Sequence, residues 1–128
     1  VSNQLFSKIG ESSVDNLINS TYPPCETTGV MIRGGQGELG RGTVLALSSD
    51  DGNMVVLGTE PSKNETLTAN CVLTDVVDAS DGEAVPAVAY RTGHFNRPAL
   101  IVADEYEMTR GDEEELRYGG ILLSDALA

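Results

Sequence analysis

A chain of 128 residues is long enough for one domain that buries roughly 65–70% of its unfolded surface, so no disulfide or metal staple is needed for folding. Its 20 Asp and Glu against 8 Lys and Arg leave a formal charge of −12, which repels a phosphate backbone and argues against a nucleic-acid partner. Two cysteines, Cys25 and Cys71, are too few for a disulfide scaffold, and no charged-then-apolar leader or run of about 20 apolar residues is read, so a soluble protein of a reducing compartment with no membrane partner is expected.

Residues 1–28 are largely polar, broken by Pro23-Pro24, and past Ile9 offer the short apolar set Val14, Leu17, Ile18 and Tyr22. Ordering a backbone costs about 1–2 kcal/mol per residue. Each buried apolar side chain returns about 1.5–3 kcal/mol, which four of them cannot raise to the cost of the segment. Residues 1–28 therefore read as an arm that stays mobile until another surface covers it, a segment that folds on binding.

The body, residues 29–128, begins with Val30-Met31-Ile32 as a brief strand, a glycine-dense loop over 34–42, and Thr43-Val44-Leu45-Ala46-Leu47 as a second strand. Asp51-Gly52 suits the positive-φ positions of a tight primed turn, and joins that strand to Met54-Val55-Val56-Leu57. Residues 61–65 form a polar loop, 67–77 a strand around Cys71-Val72-Leu73, and 78–82 a turn. Across 84–102 (AVPAVAYRTGHFNRPALIV) two apolar runs, 84–90 and 99–102, read as strands meeting at a polar corner from Arg91 to Arg97 that holds the single histidine, His94. One helix is predicted, with Thr109 as N-cap, acids over 112–115 in its first turns, Arg117 late and Gly119 as terminator. Ile121-Leu122-Leu123 closes as a final strand, giving a mainly β chain with one short helix; α+β is the alternative.

The chemical constellations favour binding over reaction. Gly35-Gln36-Gly37-Glu38-Leu39-Gly40 matches G-x-G-x-x-G, yet a strand pattern follows the third glycine where a dinucleotide site needs a helix N-terminus, so no cofactor is expected. One histidine and two separated cysteines make no tetrahedral zinc site, and the oxygen-rich turns at Asp50-Asp51-Asn53 and Asp78-Asp81-Glu83 lack EF-hand spacing, so no metal is expected. His94 beside a thiol is the remaining catalytic device, and it sits among turn residues rather than grouped nucleophiles. The helix acids read as a solvated face, not as the paired carboxylates of a glycosidase.

Two blocks carry a resemblance. Asp15-Asn16-Leu17-Ile18 is followed by GQGELGRGTVLAL, and CVLTDVVDASDGEAVPAVAYRTGHFNRPALIV runs on to LRYGGILL. In this order they resemble the lambda-like head decoration proteins of tailed bacteriophages, over roughly residues 12–123. The resemblance implies a compact β-rich domain of β-clip-like or β-tulip type plus an extended N-terminal arm. It implies a non-enzymatic trimer on the outer surface of the virion at three-fold positions, made in the host cytoplasm. Such a trimer binds the major capsid protein after expansion and stabilises the shell against internal DNA pressure. The arm is then the capsid-binding element, adding a strand to a capsid loop, and the matching positions are Val14, Asp15, Asn16, Leu17, Ile18, Tyr22, Pro23 and Pro24. The rival readings are a carbohydrate- or receptor-binding β module using the loops at 61–65 and 78–82, and a small hydrolase built on His94.

Overall fold

The computed structural model describes residues 16–62 and 64–125. In chain order these form β1 (Ile18–Ser20), β2 (Glu26–Ile32), β3 (Gly37–Leu39), β4 (Val44–Ser48), β5 (Met54–Val56), β6 (Leu67–Leu73), β7 (Val77–Ala79), β8 (Val85–Asn96), α1 (Arg110–Gly119) and β9 (Ile121–Ser124). The chain is mainly β with one short helix, as its alternation and turn chemistry predict.

Strand β8 organises the rest. Its first part lies antiparallel to β2 on one edge, and at Ala89 and Tyr90 it also meets β6 on the other. Following the pairings β8–β2–β5–β4–β6 and back to β8 closes a barrel-like ring. Past that ring, residues 93–96 are flanked by β1, antiparallel, and β9, parallel. A separate two-stranded ladder joins β3 to β7.

Strands β4 and β5 and the end of β6 are buried on both faces, which explains their near-continuous apolar runs, whereas β2 and the start of β8 keep one face exposed. Alternation sends Leu45 to one core with Ile32, Met54, Cys71, Leu73 and Ala89. It sends Val44 and Ala46 to a second core with Val55, Val72, Phe95, Leu116 and Ile121, beneath α1 and β9. In β6 the parity changes midway, because Leu45 faces Cys71 while Ala46 faces Ala69. Asn70 is the extra residue of a β-bulge, and that bulge lets one strand serve both cores.

Several expectations are corrected. The polar corner at residues 91–97 is not a corner: β8 runs unbroken to Asn96, because β1 and β9 supply partners to both edges of its polar end. The strand expected at 99–102 reduces to one parallel bridge, Thr43 with Ile101, after a 3₁₀ turn over Arg97–Ala99. The Asp51-Gly52 hairpin forms, yet of its two residues only Gly52 takes positive φ, and Ser48 N–H reaches Asn53 C=O across a longer loop. Helix α1 has the predicted Thr109 cap in a reciprocal capping box with Asp112, but its left-handed terminator is Gly120 rather than Gly119. The strand expected over 67–77 ends at Leu73, and residues 77–79, read as its last residue and the start of a turn, pair with 37–39, read as loop, across a long separation that local patterning does not show.

The loop at 61–65 reaches solvent at Pro61, Ser62 and Asn64 but turns Glu65 inward. Glu65, its side chain 1% exposed, is bonded by the Arg33 guanidinium and the Ser48 hydroxyl, and it accepts from Ser62 N–H at 2.8 Å. Arg33 also holds Asp51 at 3.2 Å, so one cation ties β2, the β4–β5 hairpin and this loop together. The Arg33 hydrogen bond, then those from Ser48 and Ser62, lower the Glu65 carboxyl to about 2 from its ordinary 4.5.

Two tests follow from this packing. Because the folded carboxyl is the stronger acid, its stabilisation is fully present above about pH 4.5 and is lost as pH falls towards 2. Thermal melting is therefore expected to stay flat above about pH 5 and fall below it, and Glu65→Gln to flatten the slope between about pH 4.5 and 2 in a calorimetric pH series. Gly93 has φ +153, and an added Cβ meets the Phe95 ring at 2.7 Å and Cys25 Sγ at 3.1 Å. Gly93→Ala is expected to cost about 2–3 kcal/mol, lowering the melting temperature by roughly 10 °C.

Candidate functional site

Of the eight positions assigned to capsid binding, Val14 and Asp15 lie outside the described residues. Asn16 is exposed, Ile18 is 39% exposed opposite Phe95, and Tyr22 is 79% exposed. Leu17 turns the other way: its side chain is 3% exposed in the second core, and its carbonyl accepts Asn96 N–H at 2.7 Å. Pro23 is half-buried behind a cis bond to Tyr22. Pro24 is exposed, and its carbonyl accepts the Thr92 hydroxyl at 2.7 Å. The structure thus leaves Asn16, Ile18, Tyr22 and Pro24 exposed and spends Leu17 as an anchor.

Residues 17–28 therefore do not stand off the body, contrary to the mobile segment expected over 1–28. β1 and the first part of β2 are laddered onto β8. Weighing side-chain burial alone against backbone entropy leaves out this ladder, in which an already ordered strand satisfies the segment's backbone groups.

The root of the segment is tied to the far end of the chain. Asn19 Nδ2 donates to Ser124 Oγ, which is also hydrogen-bonded to His94 Nε2 at 2.8 Å. Next to them Arg97 holds Glu113 at 2.9 Å and Asp125 at 2.8 Å. The first and last described residues thus emerge at one end of the molecule. Ser124, Arg97 and Asp125 were not singled out from sequence, because contacts spanning 105 positions leave no local signal.

The other constellations resolve into structure. His94 meets a hydroxyl rather than a thiol, and burial pushes the Cys71 thiol up to about 12, away from thiolate chemistry. Gly35 and Gly37 take positive φ and lead into β3, with a turn and β4 after Gly40, so no helix dipole faces the loop. Asp51 and Asp78 accept Asn53 N–H at 2.9 Å and Ser80 N–H at 3.0 Å, the side-chain turns such residues favour. Among the described residues no three His, Cys, Asp or Glu side chains group as metal ligands. The helix acids are not merely a solvated face, since Glu113 binds Arg97 and Glu115 accepts Ala69 N–H at 3.0 Å. Of the two loops that would serve a carbohydrate module, one turns its Glu65 carboxylate inward to Arg33 and Ser48 and exposes Pro61, Ser62 and Asn64. The other is backed by Gly34, where a Cβ would stand 2.4 Å from Asp81 O.

What remains is a β body with an apolar, exposed root at Ile18 and Tyr22, suited to holding a partner surface. No curated protein sequence matches the chain. The family model described as bacteriophage lambda head decoration protein D matches residues 8–117, which takes in β1 through most of α1. The chain belongs to the bacteriophage lambda head decoration protein D family.

Proposed function

We propose that this protein is a non-enzymatic cement of the phage head. In this reading it is a homotrimer on the outer capsid surface at three-fold positions, made in the host cytoplasm, docking after expansion and holding neighbouring capsid subunits against internal DNA pressure. The observation that carries the reading is the family match over most of the chain, which makes it a head decoration protein that binds a phage capsid.

The capsid-binding element is the leading segment, with contacts at Val14, Asp15, Asn16, Ile18, Tyr22, Pro23 and Pro24 and with Leu17 as its anchor. Exposed Ile18 and Tyr22 favour this, since two large apolar side chains left in water gain by being covered. Leu17 acts by fixing the root and not by touching the partner. Three roots on one trimer bring three weak contacts to a symmetric site at high effective concentration, so avidity supplies what each segment lacks. A charge of −12 limits non-specific association of an abundant protein beyond the trimer before docking and disfavours nucleic acid and anionic membrane surfaces. No cofactor or metal enters the mechanism.

The deletion compatible with the fold removes residues 1–15, because Leu17 and β1 belong to the body. The truncated chain is expected to keep its circular dichroism, melting temperature and solution mass, and to bind expanded heads at least about tenfold more weakly in co-sedimentation. Undiminished binding by a folded truncation would remove Val14, Asp15 and the residues before them from the mechanism while leaving the contacts at 16–24, and a monomeric mass on and off heads would remove the trimer.

A further inference from the structure

We infer that Asn19 and Ser124 are positioning residues for head binding, whose side-chain tie sets the capsid-facing root in its docking shape before the shell is met; the inference rests on the reading above, in which Ile18 and Tyr22 contact the capsid. The ladder alone holds this root weakly. Among the described residues β1 pairs with β8 at two positions, Ile18 with Phe95 and Ser20 with His94. The register shifts between them, so Asn19 is the extra residue of a bulge with no β8 residue opposite it. After Ser20 the chain leaves the ladder and rejoins β8 only at Glu26, opposite Thr92.

The Asn19 side chain supplies the hold that the bulge removes. Its Nδ2 donates to Oγ of Ser124, the last residue of β9, and the same oxygen is hydrogen-bonded to His94 Nε2 at 2.8 Å. A hydroxyl has one hydrogen and two lone pairs, so Ser124 serves both partners at once. His94 is flanked by Ser20 of β1 and Leu122 of β9, so three strands meet at one oxygen. A second tie closes the other end of the root: the Thr92 hydroxyl donates to Pro24 C=O at 2.7 Å and accepts Glu26 N–H at 3.2 Å.

The exposed apolar side chains lie beside and between these ties. Ile18 immediately precedes Asn19, and Tyr22, 79% exposed, stands on the short stretch between Asn19 and Pro24, its N–H bonded to Ser20 Oγ at 3.2 Å. A stretch fixed at both ends has little freedom left to lose when a partner covers it, and the ordering cost avoided appears as affinity. In the trimer of that reading the gain recurs at each root. Asn19 and Ser124 are half-buried and turned to each other, so they act on the partner through Ile18 and Tyr22 and not by contact.

The test uses the full chain and expanded heads free of decoration protein. Asn19→Ala and Ser124→Ala are each expected to keep circular dichroism and solution mass, to speed amide exchange at Tyr22 in the free protein, and to bind heads at least about fivefold more weakly. The double variant is expected to bind no more weakly than either single one, because both changes break one tie, and Ser124→Thr, which keeps the hydroxyl, to bind as the parent does. Tyr22→Ala is the control for the contact itself. Failure of the parent to bind heads removes the head-binding reading, parent-like binding by Tyr22→Ala removes Tyr22 from the contacts, and either result removes this inference too. Weakened binding by Tyr22→Ala beside parent-like binding by the folded alanine variants at 19 and 124 overturns the positioning role alone. So do additive losses in the double variant, which place Asn19 against the shell itself. Should one of the two alanine variants fail to fold, the other decides.

Discussion

The fold depends on one strand being hydrogen-bonded along both edges. β8 is the single element shared by the barrel-like ring and by the two strands at its polar end, β1 and β9, and it passes Ala89 to one core and Phe95 to the other. A strand in that position has no freedom of register, since a one-residue slip would turn Ala87, Ala89 and Phe95 outward together. Gly93 sits at the changeover, where the Phe95 ring and Cys25 Sγ leave no room for a side chain. The polar residues beyond it, His94 and Asn96, tolerate a strand there because β1 and β9 satisfy the backbone on either side.

That arrangement explains what was legible in the sequence. The helix was legible because its signals are local: Thr109 and Asp112 cap each other within one turn. The strands at 43–47, 54–57 and around 71–73 were legible because they are buried on both faces and read as apolar runs. Long-range pairing is the part that left no trace, and β3 with β7 shows it: three residues each, glycine beside acid, with partners 40 positions apart. β8 failed for the same reason. Arg91, Thr92, His94 and Asn96 look like a corner to any local reading, and only strands drawn from opposite ends of the chain make them a ladder. At the candidate site, Ile18 and Tyr22 were legible as apolar residues with nothing local to cover them, whereas Leu17 could not be told from them without the core it enters.

Charge is distributed in a way that composition conceals. The acids of a −12 chain are not a uniform shell, because Glu65, Glu113 and Asp51 are each held by arginine and Glu115 by a backbone N–H. These contacts join segments distant in sequence, so part of the acidity is structural and the rest is left to the surface. A surface rich in acids limits non-specific association by repulsion.

The tie between Asn19, Ser124 and His94 sets the geometry available to a leading segment that contacts the shell. A flexible tether gives the highest effective concentration when its length matches the distance it spans, and loses it as slack grows. With Leu17 buried and β1 laddered to β8, the slack can begin only upstream of residue 17. The 12 residues from 17 to 28, counted as tether from sequence, are instead spent on the body, which shortens the reach and raises the local concentration of whatever precedes them. The polar lock at the root keeps that point fixed to the strand on which both cores depend, so a pull on the segment is carried into β8 and spread over the sheet rather than peeled off a loose end.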